Sequence, residues 1–371
     1  MNITLKRTTE QLELVKAMAS KNRTVAYEAQ VALAEFIGPV ISEVINNAPT
    51  LSNMFTTLQF NPDDNPSIPL DLYYDVTDED YVQVWSQSVP GGLPTNHVTP
   101  THSELKFATY TLDTAVSFEK RYAARSRLDV VGKTFTRVAQ EVLLKQERTS
   151  ANLILGTLAD ASTNNMTHAI KAITAGNLTM ADFNQLLTRS KRVNTSWIGG
   201  TPDRRGNGIT DLVLSPELMQ EIRAIAYNPQ NSVGTNSDIP ATDEVRDGVW
   251  RSAGMAEFFG VNLMEINEFG VGQRFNTIFD TLAGATTYDK PDDSTSSAFN
   301  GNAEQIALGV DLVKGRDSML RAVALDEDSN SELQLVADDQ YSIRQKKIGY
   351  FGQVEEGRMV VDDRVILGLI V

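Results

Sequence analysis

Gly132, Lys133 and Thr134 match the end of a phosphate-binding loop, a motif whose backbone N–H groups hold nucleotide phosphates. The full motif needs another glycine five residues before Gly132, and Arg127 stands at that position. The apolar spacing around the tripeptide also predicts a long helix in place of a loop. The sequence therefore argues against a nucleotide site here.

Gly270 and Gly272 begin a dinucleotide-binding fingerprint that is not completed. The third glycine of that fingerprint would be residue 275, which is Phe275. A glycine-rich turn needs no bound ligand to explain it. We therefore predict a turn between strands at this point.

Residues 326–337 begin like a calcium-binding loop, with Asp326, Asp328 and Asn330 at the first oxygen-ligand positions. The sixth position should be glycine and is Ser331, and the twelfth should be glutamate and is Ala337. Because both the sharp turn and the bidentate ligand are lost, we predict an exposed acidic loop.

The sequence has three histidines, His97, His102 and His168, and no cysteine. Thiolate chemistry, disulfides and cysteine-based zinc sites are therefore excluded. His97 and His102 flank a loop without an evident third metal ligand. Paired carboxylates such as Asp362 and Asp363 are common in so acidic a chain, and nothing selects one pair. We predict no catalytic site, no metal, no cofactor and no enzymatic activity.

The balance of charge is strongly acidic. With 33 basic and 48 acidic residues, the net charge is 33 − 48 = −15. A protein that binds nucleic acid tightly needs a basic surface, so we expect at most weak, non-specific contact with DNA. The longest apolar run, residues 365–371, is far shorter than the roughly 20 residues that span a bilayer. The N-terminus has no signal-peptide pattern, and we predict a soluble, cytosolic product without membrane contact.

The first 60 residues have helical spacing, with Leu12, Val15 and Met18 on one face. Gly38 and Pro39 interrupt this pattern, which predicts two short helices or a kink.

Residues 82–116 alternate polar and apolar side chains on both sides of a turn formed by residues 90–94. This pattern predicts a β-hairpin whose return strand runs from about Leu105 to Phe118. A two-stranded hairpin alone is marginally stable in water, so we expect another molecule to complete it.

A long helix is predicted over residues 126–158. Apolar residues recur there at steps of 3, 4, 3 and 4, namely Leu128, Val131, Phe135, Val138 and Val142. A further helix is predicted after Thr179, with Asp182 completing a capping box and Leu178 and Phe183 placed for a hydrophobic staple.

A buried strand over Leu212, Val213 and Leu214 precedes Ser215, which is predicted to cap a helix that starts at Pro216. The C-terminal residues predict strands, with a turn near Glu355, Glu356 and Gly357 and a final buried strand. Helices and strands are mixed without regular βαβ alternation, which indicates an α+β fold.

Three stretches carry a family resemblance: "SVPGGLPTNHVTPTHSELKF" (88–107), "TDLVLSPELMQEIRAI" (210–225) and "GYFGQVEEGRMVVDDRVILGLIV" (349–371). In this order of elements the chain resembles the major capsid proteins of tailed bacteriophages, which have the Hong Kong 97-like fold. The resemblance implies five parts: an N-terminal arm (1–60), an extended β-hairpin loop (61–120), a peripheral domain with a long spine helix (121–172), an axial domain (173–335), and the closing strands of the peripheral domain (336–371).

The resemblance implies a structural protein of the virion that self-assembles, in the host cytoplasm, into pentamers and hexamers of an icosahedral head around double-stranded DNA. Because only about 60 residues precede the extended loop, we expect a separate scaffolding protein, together with a portal and with room for a decoration protein. The predicted inter-subunit contacts lie at the loop: Trp85, Val89, Pro90, Gly91, Gly92, Leu93 and Pro94.

Two other functions remain open. The first is an encapsulin-type compartment, which would hold an enzyme as cargo. The second is a soluble enzyme with an unrecognised acidic site. Co-purifying cargo protein would favour the first, and a monomer that never assembles would favour the second.

Overall fold

The computed structural model of the chain describes residues 8–48, 50–69, 104–163, 166–174, 176–193, 208–227, 230–231, 238–239, 257–290, 296–312, 318–325, 331–338 and 345–371. Its α-helices are Thr9–Met18 (α1), Arg23–Asn46 (α2), Lys120–Ala124 (α3), Leu128–Asp160 (α4), Met180–Val193 (α5), Pro216–Tyr227 (α6) and Arg274–Ala283 (α7). Two 3-10 helices are Leu51–Met54 and Asp363–Val365.

The β-strands vary from 2 to 14 residues in length. They are Thr56–Phe60 (β1), Ser67–Pro69 (β2), Glu104–Lys106 (β3), Thr109–Glu119 (β4), Ser162–Thr163 (β5), Met166–Thr167 (β6), Ala169–Lys171 (β7), Asp211–Leu214 (β8), Gln230–Asn231 (β9), Asp238–Ile239 (β10), Glu257–Phe258 (β11), Val261–Glu265 (β12), Thr287–Tyr288 (β13), Ser297–Ala298 (β14), Ile306–Val310 (β15), Met319–Ala324 (β16), Gln334–Asp338 (β17), Lys347–Val360 (β18) and Ile366–Ile370 (β19). The chain is therefore a mixture of helices and strands, and the predicted α+β class is confirmed.

The chain divides into two compact units. The first comprises Met1–Ile68, Lys106–Ala151 and Met319–Met359, and the second comprises Pro69–Leu105, Asn152–Ser318 and Val360–Val371. Helix α4 supplies residues to both. The division into named capsid domains stays a prediction. Strand β18, apart from its last residue, lies in the first unit, and β19 belongs to the sheet of the second.

The first unit is built on a five-stranded sheet. Its order is β1-β16-β18-β17, and β4 pairs with β18 as well. The buried core of this unit contains residues of α1, α2 and α4 together with apolar side chains of β16 and β18. The predicted stripe of α4, from Leu128 to Val142, is buried at all five positions, so the amphipathic reading of this helix is confirmed.

Helix α2 continues through Pro39, so the predicted alternative of two short helices is wrong. Pro39 has no N–H to donate to the carbonyl of Glu35, but both residues are exposed, and water can satisfy that carbonyl. Gly38 lies on the buried side, where a Cβ atom would stand 3.5 Å from the Leu333 carbonyl oxygen. That distance is an ordinary van der Waals contact, so α2 packs on the chain before β17 without requiring a glycine at this position.

The predicted turn near Glu355, Glu356 and Gly357 is also wrong. Strand β18 runs unbroken from Lys347 to Val360, and its pairing with β4 continues to Gly357 opposite Thr109. The sequence suggested a turn because two acidic residues precede a glycine. Glu356 is instead buried, because its carboxylate accepts hydrogen bonds from Arg321 of β16 and Arg358 of β18.

The second unit contains a six-stranded sheet of order β11-β12-β8-β15-β19-β7. Helices α5 and α6 contribute Phe183, Leu186, Leu218 and Ile222 to its core. The predicted caps are confirmed: the Asp182 N–H donates to Thr179 Oγ1 at 3.3 Å, and the Leu218 N–H donates to Ser215 Oγ at 3.1 Å. Strand β19, the predicted final buried strand, lies between β15 and β7.

Candidate functional site

The residues predicted to contact neighbouring subunits lie in the segment 70–103, outside the described residues. They are Trp85, Val89, Pro90, Gly91, Gly92, Leu93 and Pro94. Their contacts therefore stay a prediction. The described chain gives the two ends of the segment: β2 ends at Pro69, β3 begins at Glu104, and these two strands pair with each other.

The incomplete nucleotide motifs occupy ordinary structural positions. Gly132, Lys133 and Thr134 lie inside α4, and Thr134 Oγ1 donates to the Val130 carbonyl oxygen at 2.8 Å. Gly270 and Gly272 have positive φ angles of 120° and 72°, in the connection between β12 and α7. The prediction of a turn is confirmed there, but the turn joins a strand to a helix.

The candidate metal ligands do not come together within the described chain. His97, His102 and residues 326–330 lie outside the described residues. His168 is buried, with its Nδ1 atom 3.1 Å from the carbonyl oxygen of Asp363, and burial lowers the pKa of His168. In the part of the chain that the structure describes, no three histidine or acidic side chains are placed to hold a metal ion.

A buried charged group of the first unit surrounds Glu356. We call it the Glu356 cluster, and it consists of Glu356, Arg321, Arg358, Tyr110 and Gln146. Glu356 Oε2 accepts from Arg321 Nε at 2.8 Å, Arg358 Nη2 at 3.1 Å and Gln146 Nε2 at 3.2 Å, while Oε1 accepts from Tyr110 Oη at 2.7 Å. The cluster thus joins β4, α4, β16 and β18.

The two arginines have further acceptors beyond the cluster. Arg321 Nη1 donates to Glu332 at 3.0 Å. Arg358 donates to Ser150 Oγ at 2.6 Å and to Ser52 Oγ at 2.7 Å. A buried guanidinium needs several acceptors to offset its loss of water, and these contacts supply them.

Protonation in the cluster follows from burial and from the neighbouring charges. Burial alone would raise the pKa of Glu356, but Arg358 and Arg321 hold the pKa of this carboxyl below its usual value. Burial and the Glu356 carboxylate raise the pKa of Tyr110 to about 12. Glu356 is therefore ionised and Tyr110 is neutral near pH 7.

A second buried acid fixes the 3-10 helix Leu51–Met54. The carboxylate oxygens of Glu147 accept from the backbone N–H groups of Leu51 and Ser52, both at 3.2 Å. The first N–H groups of a helix have no partner within the helix, so a carboxylate placed there satisfies two of them.

The second unit has a buried lysine at the end of β7. Lys171 Nζ donates to Ser297 Oγ at 2.9 Å, to the Ala298 carbonyl at 2.7 Å and to Glu304 at 2.7 Å. These three acceptors use all three N–H donors of the ammonium group. The ammonium group is therefore fully hydrogen-bonded, and it connects β7 to β14.

Asn276 of helix α7 also connects separate chain segments through side-chain hydrogen bonds. Its side chain donates to the carbonyls of Gly301 and Glu304 and accepts from the Ile306 N–H at 3.2 Å. The Glu356 cluster, Lys171 and Asn276 were all missed in the sequence, because each depends on partners far apart in the chain. These buried polar residues hydrogen-bond to one another and to backbone groups, and they thereby hold separate segments of the chain together.

Of the helices in the described ranges, none has the length and apolar character needed to cross a membrane.

Sequence comparison gives no relative: no protein-family model and no curated protein matches the chain. The structure is similar to the capsid of the native GTA particle, at 12% identity and a TM-score of 0.49, over 86% of this chain and 89% of that chain. It is similar to the holo-SrpI encapsulin complex from Synechococcus elongatus PCC 7942, at 11% identity and a TM-score of 0.45, over 86% and 85% of the two chains. The mature capsid of bacteriophage PhiM1 is a third, at 11% identity and a TM-score of 0.47, over 86% of each chain. Phage capsids and an encapsulin are thus the kinds of protein to which this chain is similar.

Proposed function

We propose that this chain is a major capsid protein with the Hong Kong 97-like fold. Its pentamers and hexamers form the icosahedral head of a tailed phage and enclose double-stranded DNA. The observation that carries the proposal is the succession around segment 70–103: helices α1 and α2 precede it, paired strands β2 and β3 stand at its two ends, and a helix of 33 residues follows β4.

The length of this segment supports contact with another subunit. It has 34 residues between the paired strands β2 and β3. Because its ends are held together at β2 and β3, its middle can reach at most roughly 55 Å from them at about 3.3 Å per residue. That distance is enough to lie across a neighbouring subunit.

The acidic composition supports loose contact between the shell and its DNA. A net charge of −15 on every subunit repels the phosphates of a packaged genome, so DNA can move during packaging. We further propose a separate scaffolding protein, a portal, room for a decoration protein, assembly in the host cytoplasm and final residence in the virion. The chain has no enzymatic role in this proposal.

Electron microscopy of the purified protein tests the proposal, with and without a co-expressed scaffolding protein. In one variant, residues 86–103 are replaced by a short Gly-Ser linker, which keeps β2 and β3 intact. We expect the wild type to form closed shells and this variant to remain a folded subunit with the same circular dichroism spectrum. Normal shells from the variant would contradict the role of the loop.

A length-matched variant serves as the control for shortening. It keeps the full length of segment 70–103 and changes only the seven predicted contact residues, from Trp85 to Pro94, to serine. We expect it to fail in assembly as well, because contacts are lost while length is kept. A protein that co-purifies inside wild-type shells would favour the encapsulin-type compartment. A stable 40.8 kDa monomer under every condition would contradict the proposal and favour a soluble enzyme.

A further inference from the structure

Strand β1, Thr56–Phe60, is an exposed edge of the five-stranded sheet. It pairs with β16 in parallel, and no strand of the described ranges lies on its other side. Residues 56–59 are all exposed, and the Leu58 side chain has 39% of its surface open to solvent. An open edge of this kind presents a row of backbone hydrogen-bonding groups to any second strand.

The sequence of β1 has none of the usual protection of an edge strand. Proteins discourage strand pairing at open edges with lysine, other charges or proline, and "TTLQF" contains none of these. Residues 44–62 contain no charged side chain at all, in a chain with a net charge of −15. Strand β4 also has an open side in the described sheet, but it carries Asp113 and Glu119.

The hydrogen bonds to the rest of the sheet show which groups of β1 face outward. The Phe60 carbonyl accepts from the Leu325 N–H at 3.1 Å, so the backbone groups of Phe60 point towards β16. Backbone groups alternate in direction along a strand, so those of Leu58 also point inward. Thr57 and Gln59 therefore turn their N–H and C=O groups to the open side.

We propose that β1 pairs with β1 of a second copy of this chain, antiparallel, around a two-fold axis at Leu58. In this register Thr57 of one copy lies opposite Gln59 of the other, and the two residues exchange both N–H to C=O hydrogen bonds. The pair and its symmetry mate give four hydrogen bonds. Leu58 lies opposite the same residue of the second copy, in the closer, non-hydrogen-bonded type of pair.

The second copy is the partner that the sequence fits best. The outward backbone groups fall at positions placed symmetrically about Leu58, which is what a two-fold contact requires. The nearest charged residues, Asp63 and Asp64, follow β1 on one side only. Antiparallel pairing puts the acids of the two copies at opposite ends, so two strongly acidic subunits can meet without facing carboxylates.

Cysteine cross-linking tests the register directly, because the chain has no cysteine of its own. In the variant Leu58→Cys, the two Cα atoms would lie about 4.5 Å apart, within disulfide range. We expect mild oxidation to give a disulfide-linked dimer at least tenfold faster than in Thr57→Cys, whose side chain points to the other face and lies beside Gln59. Val25→Cys, 41% exposed and outside β1, measures random collisions. If Leu58→Cys cross-links no faster than Val25→Cys, the inference is wrong.

A proline at position 57 gives a second test. Thr57→Pro removes an outward N–H and leaves the hydrogen bonds between β1 and β16, so proline is compatible with the folded sheet. We expect Thr57→Pro to cut the cross-linking of Leu58→Cys at least tenfold, and undiminished cross-linking would overturn the inference. The outcome is independent of the proposed function: linked dimers without shells support the pairing alone, and shells without this cross-link support a capsid that uses other contacts.

Discussion

Glu356 and Arg321 form a buried ion pair across two neighbouring strands of the first unit. The Glu356 carboxylate accepts from Arg321 Nε at 2.8 Å, and the two residues are separated by 35 positions in the sequence. Glu356 has no exposed surface, and Arg358 donates to the same carboxylate oxygen. One carboxylate thus contacts two guanidinium groups in the interior, and its loss would remove a counter-charge from both, with Glu332 remaining beside Arg321.

The variant Glu356→Gln should therefore destabilise the first unit strongly. The amide keeps the shape of the side chain but removes the charge, which leaves Arg321 and Arg358 insufficiently compensated in the interior. Breaking one partner of a buried ion pair costs about 3–5 kcal/mol. Urea unfolding of the unassembled subunit, followed by circular dichroism, measures this loss.

The matched control is Glu355→Gln. Glu355 is adjacent in β18, and its side chain points to the opposite face of the sheet and is half-buried. We expect this change to cost less than about 1 kcal/mol, as for most partly exposed charges. If both variants lose the same free energy of unfolding, the buried hydrogen bonds and ion pairs of Glu356 contribute no more to stability than a partly exposed charge does.

Acid should weaken the first unit through the same residue. Because the pKa of Glu356 is held below the ordinary glutamate value of about 4.3, the unfolded chain binds its proton more readily than the folded one. The stabilisation is complete above that ordinary value and is lost as the pH falls through the lower folded pKa. The free energy of unfolding of the wild type should fall across this acidic window, and that of Glu356→Gln should fall less steeply. Parallel pH profiles would contradict this account.

Sequence patterns predicted the parts of the fold that depend on neighbouring residues. The stripe of α4, the Thr179–Asp182 capping box and the Ser215 cap all follow from spacing within a few positions, and the structure has each of them. The turn expected at Glu356 was wrong because the cations that hold this residue come from β16 and from two positions further along β18. A charged residue before a glycine is typical of a turn, and the burial of Glu356 becomes clear only when the folded structure places Arg321 beside it.

The same limit applies to the candidate site. Lys171 finds its acceptors more than 120 positions away in the chain, at Ser297, Ala298 and Glu304. The open edge of β1 also depends on which strands the fold leaves beside it. The absence of charged residues from Thr56 to Phe60 is visible in the sequence, but only the fold shows that this strand lies at an edge of the sheet.

Phe135 should be among the most important apolar residues of α4. Its side chain is fully buried, and its ring packs edge-to-face on Tyr350 with the ring centroids 5.3 Å apart. Phe135→Ala should cost about 3–5 kcal/mol, because it removes apolar contacts and leaves a cavity. Thermal unfolding of the unassembled subunit measures the loss.

Phe36 is the control for the loss of an aromatic ring. It lies on helix α2 with 54% of its side chain exposed, so Phe36→Ala should change stability by less than about 1 kcal/mol. If Phe36→Ala leaves the subunit stable but prevents assembly, this ring contacts another subunit. A small effect of Phe135→Ala would show that α4 is not anchored through this ring.

Two glycines of the second unit should respond in opposite directions to the same substitution. A Cβ atom on Gly368 of β19 would lie 2.9 Å from Leu158 Cδ2 and 3.2 Å from the Ala169 Cβ atom, which is closer than carbon atoms pack. Gly156 lies inside helix α4, where an added Cβ atom would meet nothing within 4 Å. Gly368→Ala should therefore cost about 1–3 kcal/mol through overpacking, while Gly156→Ala should gain about 0.5–1 kcal/mol from better helix propensity. Urea unfolding at one pH measures both changes in stability. If Gly368→Ala leaves the free energy of unfolding unchanged, Leu158 moves aside without loss. The sheet and α4 would then be packed less tightly than in the structure.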